Sequence, residues 1–146
     1  MQVIRTFAHD SAATVSWGVR VLLLSSDGEG GQTGRRLAGM GGQVDVADEL
    51  YQALSEVIDD PAGYGLFVVD CDSANVGGLK AARRAMTMLG EVAQRVPVIL
   101  ISSECDEQRF PMDRTAPTLL RAPLSAVSLK VGFEHALRDR LMYRAA

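Results

Sequence analysis

Residues 63–82 read GYGLFVVDCDSANVGGLKAA, and this stretch sets the organisation of the whole chain. The apolar run LFVV stops at Asp70 and Asp72, and a loop with two glycines then leads into a helical pattern. An apolar run without polar alternation is typical of a parallel strand that is covered on both faces. Ligands of open parallel sheets bind beyond the carboxyl ends of the strands. The sequence therefore predicts a functional site that includes these two aspartates.

Four more segments have the apolar character of strands, and helical patterns separate them. The strands are expected at residues 19–24, 43–46, 97–101 and 118–121. Helices are expected around residues 33–40, after an Asp48 cap, from near Asn75 or Gly77, and after a Ser125 cap. Residues 104–117 contain two prolines and no helical stripe, so the helix before the last strand is expected to be shortened or lost. Alternating strands and helices predict a right-handed doubly wound sheet.

The inner faces of two helices follow from apolar residues at helical spacing. The third helix is expected to bury a face from Leu79 through Met86 to Val92. The last helix is expected to bury a face that includes Val127, Leu129 and Phe133, among others.

Length, charge and cysteine content limit the classes of protein that fit. A chain of 146 residues corresponds to one domain, expected at residues 19–146 after an extension at residues 1–18 that is an arm, an edge strand or a tail. The net charge of −3 argues against nucleic-acid binding, which needs a concentrated positive face. No apolar run reaches the ~20 residues that cross a bilayer. Residues 1–17 lack a basic start followed by a long apolar core, so we do not expect them to be a secretory signal. Cys71 and Cys105 have no partnering spacing, so we expect reduced thiols in a cytoplasmic protein.

Residues 19–140 resemble the receiver domain of bacterial two-component response regulators (CheY-like). The most specific stretch is GQVDVADELYQAL followed by GYGLFVVDCDSANVGGLKAA. Asp70 falls at the phosphoacceptor position, and Gly78 with Leu79 matches the pair that opens the next helix. VPVILISS places Ser102 at the family's hydroxyl position. The resemblance implies an α/β, flavodoxin-like, doubly wound five-stranded parallel sheet of order 2-1-3-4-5.

The resemblance also implies a site chemistry. A carboxylate can attack a phosphoryl group when Mg²⁺ neutralises the approaching charge and positive groups hold the equatorial oxygens. Receivers bind Mg²⁺ with two acidic residues after the first strand together with the acceptor, and they add a lysine and a hydroxyl for the phosphoryl oxygens. Carried onto this chain, the acceptor is Asp70, the hydroxyl is that of Ser102, and the Mg²⁺ ligands are Asp27, Asp70 and Asp72.

Several positions depart from the family pattern. Residues 25–26 are both serine where the acidic pair should stand, and Asp27 comes one position late. The lysine position aligns with Ala122. The adjacent Arg121 is the candidate stand-in for the lysine, although a one-residue slip on a strand turns a side chain to the other face. The aromatic position of the fifth strand is Leu119.

The expected function is that of a stand-alone atypical receiver, or pseudo-receiver, in two-component-type signal transduction. Such a domain acts by protein–protein interaction, with a histidine kinase, a phosphotransferase or a downstream regulator, or by forming a homodimer. The retained Asp70 and the missing groups leave phosphorylation of this aspartate open. A turnover enzyme is not expected. The changed region before the fifth strand predicts a changed dimer or partner surface.

The glycine-rich loop at residues 25–34 supports a different class of function. A glycine-rich turn between a strand and a helix can hold a phosphate with backbone N–H groups, and flavodoxins use a loop at the same place. The alternative function is therefore flavodoxin-like binding of a phosphate, a nucleotide or a flavin. The loop lacks the glycine and lysine spacing of a P-loop.

Overall fold

The central strand of the sheet, β3 (Leu66–Asp70), lies between β1 (Arg20–Leu24) and β4 (Val98–Ser102). A computed structural model of the chain describes residues 18–28, 30–60 and 63–138, so the predicted extension lies outside them except for its last residue. β2 (Gln43–Ala47) and β5 (Thr118–Arg121) form the two edges of a five-stranded sheet in which all neighbours are parallel. The order β2-β1-β3-β4-β5 confirms the predicted flavodoxin-like fold class.

The central strands are buried because both of their faces are apolar. Side chains of successive strand residues point to opposite faces, so alternate residues share a layer. Leu22, Phe67 and Leu100 belong to one buried cluster, while the next residues along two of these strands, Leu23 and Val68, belong to the other. The sheet is thus the middle layer of three.

Helices cover both clusters. In chain order they are α1 (Gln32–Gly39), α2 (Leu50–Asp59), α3 (Leu79–Met86) and α4 (Ala126–Ala136). Leu54 of α2 and Ala82 of α3 lie in the first cluster, and Leu37 of α1 and Leu129 of α4 lie in the second. Among the described residues, no helix has the length and apolar character needed to cross a membrane.

The helix boundaries correct one expectation and agree with two others. The α2 cap is Glu49, not Asp48, because the Glu49 side chain accepts the backbone N–H of Gln52. α3 begins at Leu79 after Gly78, close to the Gly77 alternative and at the glycine–leucine pair that the resemblance marked. The helical run then changes to a 3-10 segment (Thr87–Gln94) with a non-helical residue at Gly90, whose φ is 53°. Leu79, Met86 and Val92 all pack against the first cluster, so the expected inner face is present in spite of this break.

The last helix packs closely on β5. Ser125 caps α4 as predicted, since its hydroxyl accepts the backbone N–H of Ser128 at 3.0 Å. A Cβ on Gly132 would lie 2.8 Å from Leu120 Cδ1, so a larger residue at this position would require the buried Leu120 side chain to shift. The assignment of Val127 to the inner face was wrong: its side chain is 72% exposed.

The connection between β4 and β5 contains no helix, as predicted. We call residues 103–117 the edge loop, because Arg109 forms an antiparallel bridge with Leu119 on the outer side of β5. His135 Nε2 lies 2.7 Å from the carbonyl oxygen of Pro111, and Arg138 donates to the same oxygen at 3.2 Å. The edge loop is therefore attached to both the edge strand and α4.

Candidate functional site

The carboxyl ends of β1, β3 and β4 bring the predicted site residues to one edge of the sheet. Leu24 pairs with Val69, and Asp70 pairs with Ile101, so the residues that follow these pairs lie side by side. The residues brought together include Ser25, Asp70, Asp72 and Ser102. The predicted convergence of strand ends is thus present in the structure.

Asp70 is surrounded by hydrogen-bond donors. Its Oδ2 atom accepts the hydroxyl of Ser73 at 3.2 Å and that of Ser25 at 3.4 Å, both long for this type of bond. The nearby backbone N–H of Asp72 acts to lower the pKa of this carboxylate. The carboxylate is thus held by neutral groups of the protein.

The same two serines connect the loop after β1 to the loop after β3. Ser73 Oγ accepts the backbone N–H of Ser26 at 3.0 Å, and Ser25 Oγ accepts that of Asp27 at 3.2 Å. Each hydroxyl therefore accepts one hydrogen bond from a backbone N–H of the loop after β1 and donates one hydrogen bond to Asp70. Both serines are buried, at 4% and 6% exposure, so water competes weakly for these bonds.

The net effect of this environment is to raise the pKa of Asp70. Burial is the largest cause, and the nearby carboxylates of Asp72 and Asp27 add to it. The hydrogen bond from Ser73 and the nearby backbone N–H of Asp72 oppose the shift without cancelling it.

The raised pKa predicts that Asp70→Asn stabilises the fold at neutral pH. Between the ordinary value of 3.8 and the native pKa, the folded state binds more protons than the unfolded state, so stability falls as pH rises. Above that interval the ionised Asp70 carboxylate continues to destabilise the folded state relative to the unfolded state. We expect a gain below about 1 kcal/mol at pH 7, because solvent screens a half-exposed carboxylate. Urea unfolding at pH 7 and pH 5 measures it, and the gain should shrink at pH 5.

Asp113→Asn is the matched control with the opposite sign. The backbone N–H and hydroxyl of Thr115 lower the pKa of Asp113, so this carboxylate stabilises the fold above its ordinary pKa and loses that effect as pH falls through its native pKa. The variant should be less stable than wild type at pH 7. Equal effects of the two substitutions would contradict the assignment of burial as the cause at Asp70.

Asp72 faces the end of β4. Its Oδ1 atom accepts the Ser102 hydroxyl at 3.2 Å, and its two oxygens accept the backbone N–H of Ser103 at 3.2 and 3.0 Å. Ser102 is fully buried, and its oxygen also accepts the backbone N–H of Glu104 at 3.0 Å. The predicted phosphoryl-binding hydroxyl thus donates to a carboxylate of the same chain.

Arg121 points to the edge loop. Its Nη1 atom donates to the carbonyl oxygen of Asp106 at 3.3 Å, and its side chain is exposed. Its backbone N–H donates to Gln108 Oε1, also at 3.3 Å. The predicted stand-in for the family's lysine is therefore engaged with the loop after β4.

The three carboxylates expected to bind Mg²⁺ do not form a common ligand set. No three His, Cys, Asp or Glu side chains within residues 18–28, 30–60 and 63–138 are placed to hold a metal ion. Asp70 is turned to serine hydroxyls, Asp72 to the end of β4, and Asp27 is exposed on the loop after β1. As arranged, these residues do not fit an Mg²⁺ ion.

Sequence reasoning missed two residues of this edge. Ser73 lies three positions after Asp70, and its backbone N–H donates to the Asp70 carbonyl oxygen at 3.1 Å, which forms a turn. A serine at this position of a turn readily reaches the side chain of the aspartate that begins it, so the spacing was the signal that could have identified Ser73. Glu104 Oε1 accepts the backbone N–H of Leu79 at 3.2 Å and so caps α3 from another loop. The second contact joins distant parts of the chain, and no local pattern signals it.

The nearby groove does not favour the flavodoxin-like alternative. A groove of about 290 Å³ lies between the loop after β1 and the start of α2. Asp48 and Glu56 line it, together with Ser25, Ser26 and uncharged residues, and no described lining residue is lysine or arginine. A phosphate would meet two carboxylates there.

Both cysteines are buried and unpaired, as expected. Burial raises the pKa of Cys71 to about 12, and it also raises that of Cys105. Thiols in this state are poor nucleophiles at neutral pH, so neither adds reactivity to the site.

Many solved structures similar to this chain are receiver domains. The signal receiver domain of a Luxo repressor protein from Vibrio parahaemolyticus has a TM-score of 0.64 at 14% identity, over 88% of this chain and 97% of that one. A CheY-like response regulator receiver domain protein from Methanospirillum hungatei JF-1 has a TM-score of 0.60 at 13% identity, over 87% and 98% of the two chains. The beryllofluoride-activated NtrC4 receiver domain dimer has a TM-score of 0.60 at 19% identity, over 82% and 97%.

No family model and no curated protein sequence matches the chain. The likeness to solved structures therefore carries the comparison, and at these identities it shows the fold. The chain has the fold of response regulator receiver domains.

Proposed function

We propose that this chain, which has the receiver-domain fold, is an atypical receiver that works in two-component-type signalling by binding another protein, without a phosphoryl group on Asp70. The partner is a histidine kinase, a phosphotransferase, a downstream regulator or a second copy of the chain. A cytoplasmic location and the absence of enzymatic turnover are parts of the same proposal.

The surroundings of Asp70 are the observation that carries the proposal. Transfer of a phosphoryl group to a carboxylate requires positive charge between the two anions. Here the Asp70 carboxylate faces the hydroxyls of Ser25 and Ser73, while Arg121 donates to the edge loop. This arrangement favours a carboxylate with a structural role over a nucleophile.

An exposed apolar face supports the binding part of the proposal. Met112 on the edge loop is 83% exposed, and Val127 and Val131 on α4 are 72% and 46% exposed. Phe110 contacts the ring of His135, which lies one helical turn beyond Val131, so loop and helix present one surface. Apolar patches of this kind on small proteins commonly mark interaction sites.

A phosphorylation assay tests the proposal directly. The full chain is incubated with Mg²⁺ and a small-molecule phosphodonor, and the intact mass is measured for wild type and Asp70→Asn. We expect neither protein to gain a phosphoryl group, while a conventional receiver in the same assay gains one. A phosphoryl adduct on wild type that is absent from Asp70→Asn would overturn the proposal.

A further inference from the structure

The end of β4 forms a small anion-binding corner, and a residue of the chain itself fills it. The hydroxyl of Ser102 and the backbone N–H of Ser103 both point to the Asp72 carboxylate, at 3.0 to 3.2 Å. A hydroxyl next to a backbone N–H is a donor pair that suits an oxyanion, and bonds from such donors to a charged acceptor are stronger than neutral ones.

Strand register brings Asp72 to this corner. Asp70 pairs with Ile101 across β3 and β4, so the second residue beyond each, Asp72 and Ser103, are also adjacent. The Ser102 side chain is fully buried, which leaves its hydroxyl dependent on a protein partner. Asp72 provides that partner.

A second contact holds the same loop from the other side. α3 lacks a side-chain cap of its own, and Glu104 accepts the N–H of Leu79 in its first turn. Gly78 makes the approach possible: its φ is 97°, and a Cβ there would lie 2.6 Å from Glu104 Oε1. The start of the edge loop is thus fixed to the β3–α3 loop by both Asp72 and Glu104.

We propose that Asp72 is an internal anion that takes the place of a phosphoryl group at the Ser102 and Ser103 corner. It holds the loop after β4 in an anion-bound arrangement without modification of Asp70, so partner binding does not wait for a kinase. The inference rests on the proposed function for the expected role of Ser102. It also accounts for the lack of fit to Mg²⁺, because Asp72 is committed to β4 and not to a metal.

The Ser103 amide reports on this contact. In the full chain, amide hydrogen exchange is followed residue by residue in wild type and Asp72→Ala by NMR. We expect Ser103 to exchange about tenfold faster in the variant, which corresponds to about 1.4 kcal/mol for one charge-assisted bond. Asp27→Ala is the matched control, since it removes an exposed carboxylate of the same edge and should leave Ser103 unchanged. Asp72→Asn, which keeps the shape but not the charge, should give a smaller increase if Asp72→Ala does not fold.

Inorganic phosphate provides the second probe. It should shift the Ser102 and Ser103 amide signals of Asp72→Ala, whose corner is open, and leave those of wild type in place. Unchanged Ser103 exchange in both Asp72 variants, or an equal phosphate response in wild type, would overturn the inference. Neither readout depends on phosphorylation of Asp70, which the mass measurement decides separately, so failure of this inference can be distinguished from failure of the proposed function.

Discussion

Replacing Phe67 with alanine is expected to lower the free energy of unfolding by about 3–5 kcal/mol, the largest effect of any substitution considered in this chain. Phe67 is fully buried near the start of β3, the central strand, and is paired with Leu22 on one side and Val98 on the other. Removing its ring leaves a cavity that flanking strands cannot close without breaking the sheet. Because small domains are stable by about 5–15 kcal/mol, the loss is a large share of the total. Urea unfolding followed by circular dichroism measures it.

Val127→Ala is the control for this measurement. Val127 also loses apolar atoms in the substitution, but its side chain is 72% exposed, so its effect should stay within about 0.5 kcal/mol. A loss below about 1 kcal/mol for Phe67→Ala would contradict the central placement of β3 and the fold that depends on it.

Replacing Ser25 and Ser73 together with alanine is expected to cost about 1–3 kcal/mol. The change removes both hydroxyls that donate to Asp70 and leaves a half-buried carboxylate with fewer partners. It also removes the acceptors for the backbone N–H groups of Ser26 and Asp27, so the loop after β1 should exchange its amides faster. Thermal or urea unfolding at pH 7 gives the loss in stability.

A thermodynamic cycle separates the carboxylate from the loop. The same serine substitutions are repeated in an Asp70→Asn background, where no charge remains to be stranded. The cost should be smaller there, since only the loop contacts are lost. An equal loss of stability in both backgrounds would show that the serines support only the loop. It would contradict the claim that their hydroxyls stabilise the Asp70 carboxylate.

The sequence was sufficient to predict the fold because apolar strands leave few arrangements open. LFVV at Leu66–Val69 and VILI at Val98–Ile101 have no polar residue, so they belong in the centre of a parallel sheet. Helix ends were harder: aspartate is the commoner N-cap residue, so the sequence favoured Asp48, but the side chain of Glu49 accepts the N–H of Gln52 instead. Val127 is apolar, but it lies two positions before Leu129, which on a helix places it on roughly the opposite side, so it faces solvent.

The position of the candidate site was predictable from the sequence, but the hydrogen-bond partners of its residues were not. Parallel strands end at one edge, so Asp70, Asp72 and Ser102 had to be neighbours. Which carboxylate faces which donor depends on side-chain directions that residue types do not encode. Asp72, a candidate metal ligand by type, faces Ser102 and Ser103, and Ser73 takes a position that the family pattern does not mark.

The bridge between Arg109 and Leu119 also bears on polymerisation. A fibre that grows by strand addition needs two unpaired edge strands on each molecule, because each molecule must pair with one neighbour at either edge of its sheet. At β5 the outward N–H of Leu119 is taken by Arg109, and that of Arg121 by Gln108. Within the described part of the chain, β2 is the edge strand that no loop covers. A dimer formed by pairing of two β2 strands would present only the two covered β5 edges. Strand addition would therefore stop at the dimer and would not continue into a fibre.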